Sequence, residues 1–265
     1  MSAPKVLLFD LETTPILAWV WGLWKQTVGL PAIVRDSHLL TWSAKWLGDD
    51  YVMYDSLIAH KLYAKEPYND LHVTESMWHL LDEADVVVAQ NGDKFDVPKI
   101  NTRFLYHELP PPSPYKTVDT LKIAKASMRL TSNKLDWMAK FLFDESKIKT
   151  DFDLWTGCIR GDKRAWAQMI EYNQKDVTLL ENVYLALRPW AKTHPNMGLY
   201  IDLQGSMPLC PRCGSSDLSR NGTKTSKTML GRYQQYHCGE CGCYPRGRVN
   251  LNDKDKQKSL LTNTL

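Results

Sequence analysis

Apolar runs along the chain predict most of a β-sheet. Residues 5–12 (KVLLFDLE) form a buried strand pattern that ends in acids. Residues 85–91 (DVVVAQN) carry a short continuous apolar run, which is typical of a strand covered on both faces. Aromatic and β-branched residues bounded by Gly and Asp predict three further strands, in LAWVWGLW (17–24), HLLTWSAKWLG (38–48) and YVMYDS (51–56).

Helical periodicity dominates the rest of the chain. It predicts helices over 70–83, 134–143 and 163–187, with Pro189 closing the last one. A further helix is expected from Asp96 or Val97 to about Glu108, and KTVDTLKIAKASM (116–128) predicts a short strand that passes into a helix. Strands followed by mixed strand–helix units indicate an α/β domain with a mixed sheet.

Composition places the chain among ordinary globular proteins, with 43% hydrophobic and 24% charged residues in 265. No apolar run approaches the roughly 20 residues that a membrane-spanning helix needs. The N-terminal MSAPKVLLFD has too short an apolar stretch for a signal peptide. We therefore expect a cytoplasmic protein with no membrane association.

Five of the six cysteines crowd one short segment, which in a cytosolic chain indicates a metal site rather than disulfides. Two C-x-x-C pairs, each followed by Gly, predict a zinc ribbon with one structural Zn²⁺ held by four thiolates, those of Cys210, Cys213, Cys238 and Cys241. The neighbouring Cys243 and His237 are alternative ligands. Cys158 is expected to be a buried small hydrophobe.

Charge is distributed unevenly along the chain. Residues 1–204 carry a net charge of −3, whereas residues 205–249 contain seven Lys and Arg against two Asp and Glu. We therefore predict three parts: a catalytic domain over 1–204, a zinc ribbon over 205–249, and a disordered polar tail over 250–265. In the ribbon, cations interleave with aromatic rings, a pattern that suits binding to phosphates and bases. The candidate residues are Arg212, Lys224, Arg232, Tyr233 and Arg246, with an ordinary solvated surface as the alternative.

Three acidic motifs are spread over the catalytic domain. Asp10 and Glu12 alternate at a strand end, so both side chains share one face. Asp96 closes an N-x-x-x-F-D pattern after the second buried strand, and Asp93 competes with it as the third acid. Tyr172 and Asp176 lie four residues apart on a predicted helix and also share a face. Taken alone, the D-x-E pair and the Tyr172–Asp176 pair are each better explained as ordinary surface residues.

Together, in this order, the D-x-E, N-x-x-x-F-D and Y-x-x-x-D motifs resemble the DEDD superfamily of 3′–5′ exonucleases, in its tyrosine-bearing branch. Glu171 occupies the position where the histidine-bearing branch would carry His. The stretches DLETTP and HLLTWSAKWLG are similar to bacterial and phage members that are described as RNase H-like. The resemblance covers residues 5–187 and implies an RNase H-like fold, a mixed five-stranded sheet flanked by helices, in a bacterial or phage-infected cell.

The resemblance also implies a two-metal nuclease acting on DNA or RNA, single-stranded or with a 3′ end, and using two Mg²⁺ or Mn²⁺ ions. Asp10 would bridge the metals, Glu12 and Asp176 would complete one site, and Asp96 would help to hold the second ion. Tyr172 would orient the attacking water. Thr13, or the backbone of Leu11, and Asn91 would contact the substrate.

Other functions remain open on the sequence alone. Four acids do not define end specificity, so a structure-selective endonuclease on the same fold is the first alternative. A nucleic-acid-binding module with an inactive core is the second, and the presence of all four acids and Tyr172 argues against it. A stripe of tryptophans is expected to pack in the core rather than to stack on bases: Trp19, Trp21, Trp24, Trp42 and Trp46.

Overall fold

The computed structural model describes residues 4–201 and 207–262, which divide into two compact units. The first unit is Lys5–Tyr184, and the second begins at Leu185. The predicted boundary between residues 204 and 205 lies outside the described residues, so the domain division stays a prediction. Within the described ranges, no helix is long and apolar enough to cross a membrane.

The first unit alternates strands and helices. Its strands are β1 Val6–Thr13, β2 Leu17–Ala18, β3 Ile33–Arg35, β4 Leu39–Trp46, β5 Met53–Ser56, β6 Val86–Ala89 and β7 Lys116–Asp119. Its helices are α1 Leu71–Glu83, α2 Asp96–Tyr106, α3 Thr120–Ser127, α4 Leu135–Phe143, α5 Phe152–Ile159 and α6 Lys163–Leu187, the last of which extends into the second unit.

Five strands form one sheet in the order β5-β4-β1-β6-β7, which confirms the predicted mixed five-stranded sheet flanked by helices. β1 pairs antiparallel with β4 and parallel with β6, and β6 pairs parallel with β7. Because β1, β6 and β7 run in the same direction, their carboxyl ends meet at one edge of the sheet. This edge is where open α/β sheets place their functional groups.

The central strands are buried because their sequences carry no charge until they reach that edge. Leu7, Leu8 and Phe9 of β1 are fully buried, and all four residues of β6 are buried as well. In α1, Val73, Met77 and Leu81 recur every four residues and are also buried, so one face of this helix covers the core. The acids after Phe9 are therefore attached to a rigid support.

The tryptophan stripe divides into two groups. Trp42 is buried and Trp46 packs against the core, as predicted. The prediction was wrong for Trp19, Trp21 and Trp24, whose exposed fractions are 78%, 106% and 84%. Only Leu17–Ala18 of the predicted strand 17–24 is a strand, and it pairs with β3 in a separate two-stranded sheet.

Helix α5 was not predicted from the sequence. It has only eight residues, which is too short for its apolar periodicity to be recognised. The side chain of Asp151 caps its first turn by accepting a hydrogen bond from the Asp153 N–H at 3.1 Å. Phe152 and Trp155 on this helix line a cleft together with Thr13.

The second unit contains an antiparallel three-stranded sheet in the order β10-β9-β8, formed by β8 Leu218–Lys227, β9 Arg232–Cys238 and β10 Arg246–Asn250. Part of the tail that was expected to be disordered is helical, in α7 Lys254–Ser259. The side chain of Asp253 caps this helix by accepting a hydrogen bond from the Lys256 N–H at 2.7 Å. This cap explains why so polar a segment forms a helical turn.

Candidate active site and cysteine cluster

The acidic cluster lies at the carboxyl edge of the sheet. Asp10 and Glu12 come from the end of β1, and Asp176 comes from the middle of α6. One carboxylate oxygen from each of these three residues lies within 4.8 Å of the other two. Glu12 and Asp176, which are 164 positions apart in the sequence, meet because β1 and α6 pack against each other. Asp176 is almost fully buried, with 1% of its surface exposed.

Asp96 lies beside this cluster but is not one of the three converging carboxylates. It is the first residue of α2, and its Oδ1 accepts a hydrogen bond from the backbone N–H of Leu11 at 3.2 Å. Leu11 stands between Asp10 and Glu12, so this bond fixes Asp96 against β1. The competing candidate, Asp93, instead forms an ion pair of 2.5 Å with Lys122.

The loop between β6 and α2 brings Asp96 to the sheet edge by a tight turn. Asn91 has a φ of 61°, a left-handed conformation in which Asn is well tolerated. At Gly92 a Cβ would lie 2.4 Å from the Cβ of Ala89, so only glycine fits there. The Asn91 N–H donates to Asp119 at 3.0 Å, which ties this loop to the end of β7.

Asn173 is a site residue that the sequence did not reveal. It is fully buried, and its side-chain amide donates to Asp10 Oδ2 at 2.7 Å and to the Asp10 carbonyl at 3.3 Å. Its Oδ1 and the Oδ1 of Asp176 are both buried and find no hydrogen-bond partner among the described residues. The only signal available was its position three residues before Asp176 on a predicted helix.

Lys147 is the second functional residue that was missed. It lies in the loop between α4 and α5, forms an ion pair with Asp176, and has its Nζ 3.4 Å from the Tyr172 hydroxyl. No periodic pattern surrounds it, because a loop residue is positioned only by the tertiary fold. Tyr172 in turn packs edge-on to Trp155, with ring centroids 6.2 Å apart.

Burial raises the pKa of the acids in the cluster, and repulsion between their like charges adds to it at Asp10 and Glu12. Desolvation and the neighbouring Asp96, Asp176 and Glu12 raise the pKa of Asp10 well above its usual value. Desolvation followed by the charge of Asp176 raises the pKa of Glu12 to about 8, and desolvation raises the pKa of Asp96 to about 7. Repulsion of this kind indicates a site built to receive positive charge.

The pKa values of Lys147 and Tyr172 are both raised by the neighbouring acids. Desolvation lowers the pKa of Lys147, but the charges of Asp176 and Asp10 outweigh it, and the net pKa is raised. Desolvation and the charge of Asp176 raise the pKa of Tyr172. Lys147 is therefore an ammonium ion and Tyr172 a neutral phenol at pH 7.

Two clefts border the acidic cluster. The first, of about 560 Å³, is lined by Asp10 and Asn91 together with three lysines, Lys125, Lys134 and Lys147. The second, of about 590 Å³, contains Thr13 and three aromatic residues, Phe95, Phe152 and Trp155. The predicted contact residues Asn91 and Thr13 thus lie in different clefts, one rich in cations and the other in rings.

The donor set of the cluster fits hard divalent cations. It offers only carboxylate oxygens, which Mg²⁺ and Mn²⁺ prefer over other ligands. The unpartnered Oδ1 of Asp176 is a buried acceptor that a cation would satisfy. A bound cation would also remove the repulsion between the three close carboxylates, which would make its binding more favourable.

The cysteines of the second unit form a compact cluster. Sulfur atoms of Cys210, Cys213, Cys238 and Cys241 all lie within 4.8 Å of one another. Cys210 and Cys241 are 3.6 Å apart and Cys213 and Cys238 are 3.7 Å apart. These separations are far from a disulfide length of about 2.0 Å and match the roughly 3.8 Å that tetrahedral Zn–S bonds of about 2.3 Å require.

Both C-x-x-C turns adopt the geometry that their sequence predicts. Gly214 and Gly242 have φ values of 80° and 74°. Their N–H groups donate to the carbonyls of Cys210 at 2.8 Å and Cys238 at 2.9 Å. The fifth thiol, Cys243, is buried with its sulfur 3.4 Å from that of Cys210, so it remains a neighbouring alternative ligand.

The predicted nucleic-acid-binding residues of the second unit lie mainly at its surface. Lys224, Arg232 and Arg246 are exposed, while Arg212 and Tyr233 are half-buried. The guanidinium of Arg246 stacks over the Tyr233 ring, 4.3 Å from its centroid. A cation held against a ring in this way presents charge and a flat surface together.

The structure combines an α/β domain, a mixed sheet, and carboxylates at the end of β1 and in the middle of α6. Comparison with known proteins identifies the class of fold. The model of the RNase H superfamily matches residues 49–188, more than half of the chain. The protein belongs to the RNase H superfamily.

Comparison with solved structures gives the same fold. The structure is similar to a family B DNA polymerase from the hyperthermophilic archaeon Pyrobaculum calidifontis, with a TM-score of 0.53 and 14% identity. The match covers 71% of this chain and 25% of the polymerase chain, so this chain spans only part of that protein's length. No curated protein matches the sequence.

Proposed function

We propose that the chain is a metal-dependent nuclease that removes nucleotides from the 3′ ends of DNA or RNA. The observation that carries this proposal is the convergence of Asp10, Glu12 and Asp176 within 4.8 Å, with Asp96 bonded to the backbone between the first two. Membership of the RNase H superfamily is consistent with it. The 3′–5′ direction rests on the resemblance of the ordered motifs to the tyrosine-bearing DEDD exonucleases.

The acidic cluster would hold two Mg²⁺ or Mn²⁺ ions through Asp10, Glu12, Asp96 and Asp176. When bound, such ions supply an activated water and stabilise the leaving oxygen of the phosphodiester. Asn173 would keep one oxygen of Asp10 occupied by its amide and leave the other oxygen free for a ligand.

Tyr172 and Lys147 would act on the reacting groups beside Asp176. Because the pKa of Tyr172 is raised, its hydroxyl keeps its proton and orients a water by hydrogen bonding. The Lys147 ammonium, adjacent to that hydroxyl, would contact the phosphate and stabilise its developing negative charge. Both groups reach the cluster through Asp176, which they contact.

The substrate contacts follow from the two clefts. Asn91, with the lysines of the first cleft, would bind phosphates, whereas Thr13 and the rings of the second cleft would hold the terminal nucleotide. In the second unit, the four cysteines would hold one structural Zn²⁺. Arg212, Lys224, Arg232, Tyr233 and Arg246 would add affinity for nucleic acid.

The cleavage assay distinguishes the possible modes of action. Linear 5′-labelled strands and circular strands of DNA and of RNA are incubated with the chain and Mg²⁺ or Mn²⁺. The proposal predicts a ladder of single-nucleotide steps on linear strands and intact circles. Cut circles would establish the endonuclease, and binding without any cleavage would establish an inactive nucleic-acid-binding module.

Replacement of Lys147 by Met should lower kcat by about 100-fold, because one charge that stabilises the transition state is lost. Affinity for Mn²⁺ should be equal or higher, since the ammonium paired with Asp176 competes with a metal for that carboxylate. Single-turnover rates and calorimetric Mn²⁺ titration measure the two effects. The matched control is Lys149→Met, an exposed lysine two residues away, which should leave both unchanged.

The pH dependence of metal binding follows from the raised pKa values. Glu12 and Asp96, with pKa values of about 8 and 7, must release protons before they bind a cation. Apparent Mn²⁺ affinity should therefore rise about tenfold or more per pH unit between pH 6 and 7. Calorimetry in buffers of different ionisation enthalpy counts the protons released.

The contribution of these acids to the stability of the metal-free chain should change in the opposite direction. A carboxyl group whose pKa is raised by folding is destabilising once it is charged, so its own contribution to stability is largest at low pH and falls as the pH rises from the unfolded-state pKa towards the folded-state pKa. For Glu12 this pH window runs from 4.5 to about 8.

An Mn²⁺ affinity that does not vary with pH would contradict the proposed set of metal ligands.

The basic residues of the ribbon should contribute to the salt dependence of binding. Replacement of Lys224, Arg232 and Arg246 by Ser removes three phosphate contacts. The slope of log K against log salt for single strands should therefore become shallower by about 2. Fluorescence anisotropy over a salt series measures this slope.

A control variant with the same change in net charge is available in the first unit. Lys61, Lys65 and Lys163 are exposed and line neither of the two clefts. Replacing all three by Ser should leave the slope unchanged. Equal slopes for the ribbon variant and this control would mean that the ribbon does not bind nucleic acid.

A further inference from the structure

Residues 16–34, here called the aromatic segment, present an unusual apolar surface. Trp19, Trp21 and Trp24 project into solvent. The same segment exposes several aliphatic side chains, those of Ile16, Leu17, Val20, Leu23, Val28, Leu30 and Val34. So many exposed apolar side chains in one short segment indicate a binding site, because their exposure to water is unfavourable in the free protein.

The aromatic segment is held by its own backbone bonds. β2 pairs with β3, with Leu17 opposite Arg35 and Ala18 opposite Ile33. The Trp19 N–H donates to the Ala32 carbonyl at 2.9 Å. The rings are thus carried by a closed hairpin whose two ends are fixed.

The hairpin continues directly from the candidate active site. β1 carries Asp10 and Glu12 and ends at Thr13, three residues before the segment begins. Residues 13–16 line the second of the two clefts beside the acidic cluster, together with Phe152 and Trp155. The Trp155 side chain lies close enough to Glu12 to lower the pKa of that carboxyl group slightly. Rings therefore extend from the acidic cluster through the cleft to the base of the hairpin.

The charge of this region complements a polyanion. From Thr13 to Arg35 the sequence contains Lys25 and Arg35 but no Asp or Glu. A strand of nucleic acid carries negative phosphates and flat bases, and unpaired bases stack on aromatic side chains. Exposed rings and the exposed Lys25, in a segment without acids and next to a site suited to phosphodiester chemistry, match that ligand.

We infer that the aromatic segment binds the unpaired bases of a single-stranded nucleic acid whose end lies at the acidic cluster. The inference rests on the proposed nuclease function and gives its substrate class as single strands. Trp19, Trp21 and Trp24 stack on bases upstream of the cleaved nucleotide. A duplex, whose bases are already stacked, does not gain this contact.

Two triple variants separate stacking from general hydrophobicity. Trp19, Trp21 and Trp24 are replaced together by Leu, which stays apolar, or together by Phe, which still stacks. Binding of fluorescent oligothymidine about 20 nucleotides long is measured by anisotropy without added Mg²⁺ or Mn²⁺. The Leu variant should bind about tenfold or more weakly, and the Phe variant should stay within about threefold of the native chain.

The control ligands have the same phosphates without available bases. An abasic strand and a blunt duplex of equal length should bind the native chain and the Leu variant equally. Native affinity of the Leu variant for oligothymidine would overturn the inference. Equal weakening on the abasic strand would overturn it too, because the effect would not come from bases. Circular dichroism and light scattering check the fold and the oligomeric state of each variant.

Self-association is the competing role for such a surface. A native dimer that becomes monomeric in the Leu variant with unchanged oligothymidine binding would assign the segment to contacts between copies and overturn the inference. Because binding is measured without cleavage, a native chain that binds but never cleaves refutes the proposed function alone. Normal cleavage of a dinucleotide by the Leu variant, combined with its weaker binding, supports both.

Discussion

Replacement of Asp10 by Asn is expected to lower the cleavage rate by at least about a thousandfold while the fold is retained. A carboxylate oxygen of Asp10 lies within 4.8 Å of one from Glu12 and one from Asp176. Other acids of the cluster surround it, and its negative charge is required for a cation to bind. The Asn oxygen can still accept the hydrogen bond from Asn173, so the local packing is preserved. Single-turnover cleavage of a labelled strand measures the loss.

Stability provides a second readout for the same variant. Because folding raises the pKa of Asp10, its charged form is destabilising, and a neutral Asn removes the repulsion. The melting temperature of the metal-free variant at pH 8 should therefore equal or exceed that of the native chain, whereas added Mn²⁺ should no longer raise it. Full activity of the variant would refute the assignment of the site.

Asp93→Asn is the matched control for this experiment. Asp93 stands three residues from Asp96, but it pairs with Lys122 rather than with the cluster. Its replacement should leave both cleavage and Mn²⁺ stabilisation unchanged. A loss of activity equal to that of the Asp10 variant would show that charge in general, rather than this cluster, controls the reaction.

Replacement of Cys210 by Ser is expected to abolish zinc binding and to unfold the sheet of β8, β9 and β10. Cysteines form the buried cluster beside this sheet, with Leu218 packed against it. So small a cluster would not by itself offset the conformational entropy of the strands, and a bound Zn²⁺ would contribute stability of the order of 10 kcal/mol. Zinc content per chain and limited proteolysis after Leu185 report the change.

The other cysteines supply the controls. Cys158 is buried in the core of the first unit, and Cys158→Ala should keep one zinc per chain. Cys241→Ser tests the alternative ligand, because Cys243 lies 3.4 Å from Cys210 and can replace the lost thiolate. One zinc per chain in the Cys210 variant, with an intact ribbon, would contradict the assignment.

Local periodicity made much of the fold and of the candidate site predictable. The alternation of strand side chains placed Asp10 and Glu12 on one face, and the helical spacing of Tyr172 and Asp176 placed both on one side of α6. Buried runs such as residues 86–89 located the central strands. The C-x-x-C-G turns determine their own geometry, which is why the cysteine cluster follows from spacing alone.

Features that depend on tertiary packing were not predictable in this way. Lys147 is brought to Asp176 from a loop, and Asn173 was one polar residue among several on its helix. Apolar content alone did not distinguish the buried Trp42 from the exposed Trp21, because burial depends on whether another layer covers the strand. The choice between Asp93 and Asp96 required the turn at Gly92.

Anomalous diffraction from crystals soaked in Mn²⁺ tests the central claim most directly, since it locates the metal without depending on activity. The account predicts manganese peaks contacted by oxygens of Asp10, Glu12 and Asp176, with a second ion within about 4 Å that also involves Asp96. Peaks elsewhere on the protein, with none between β1 and α6 at millimolar Mn²⁺, would contradict it.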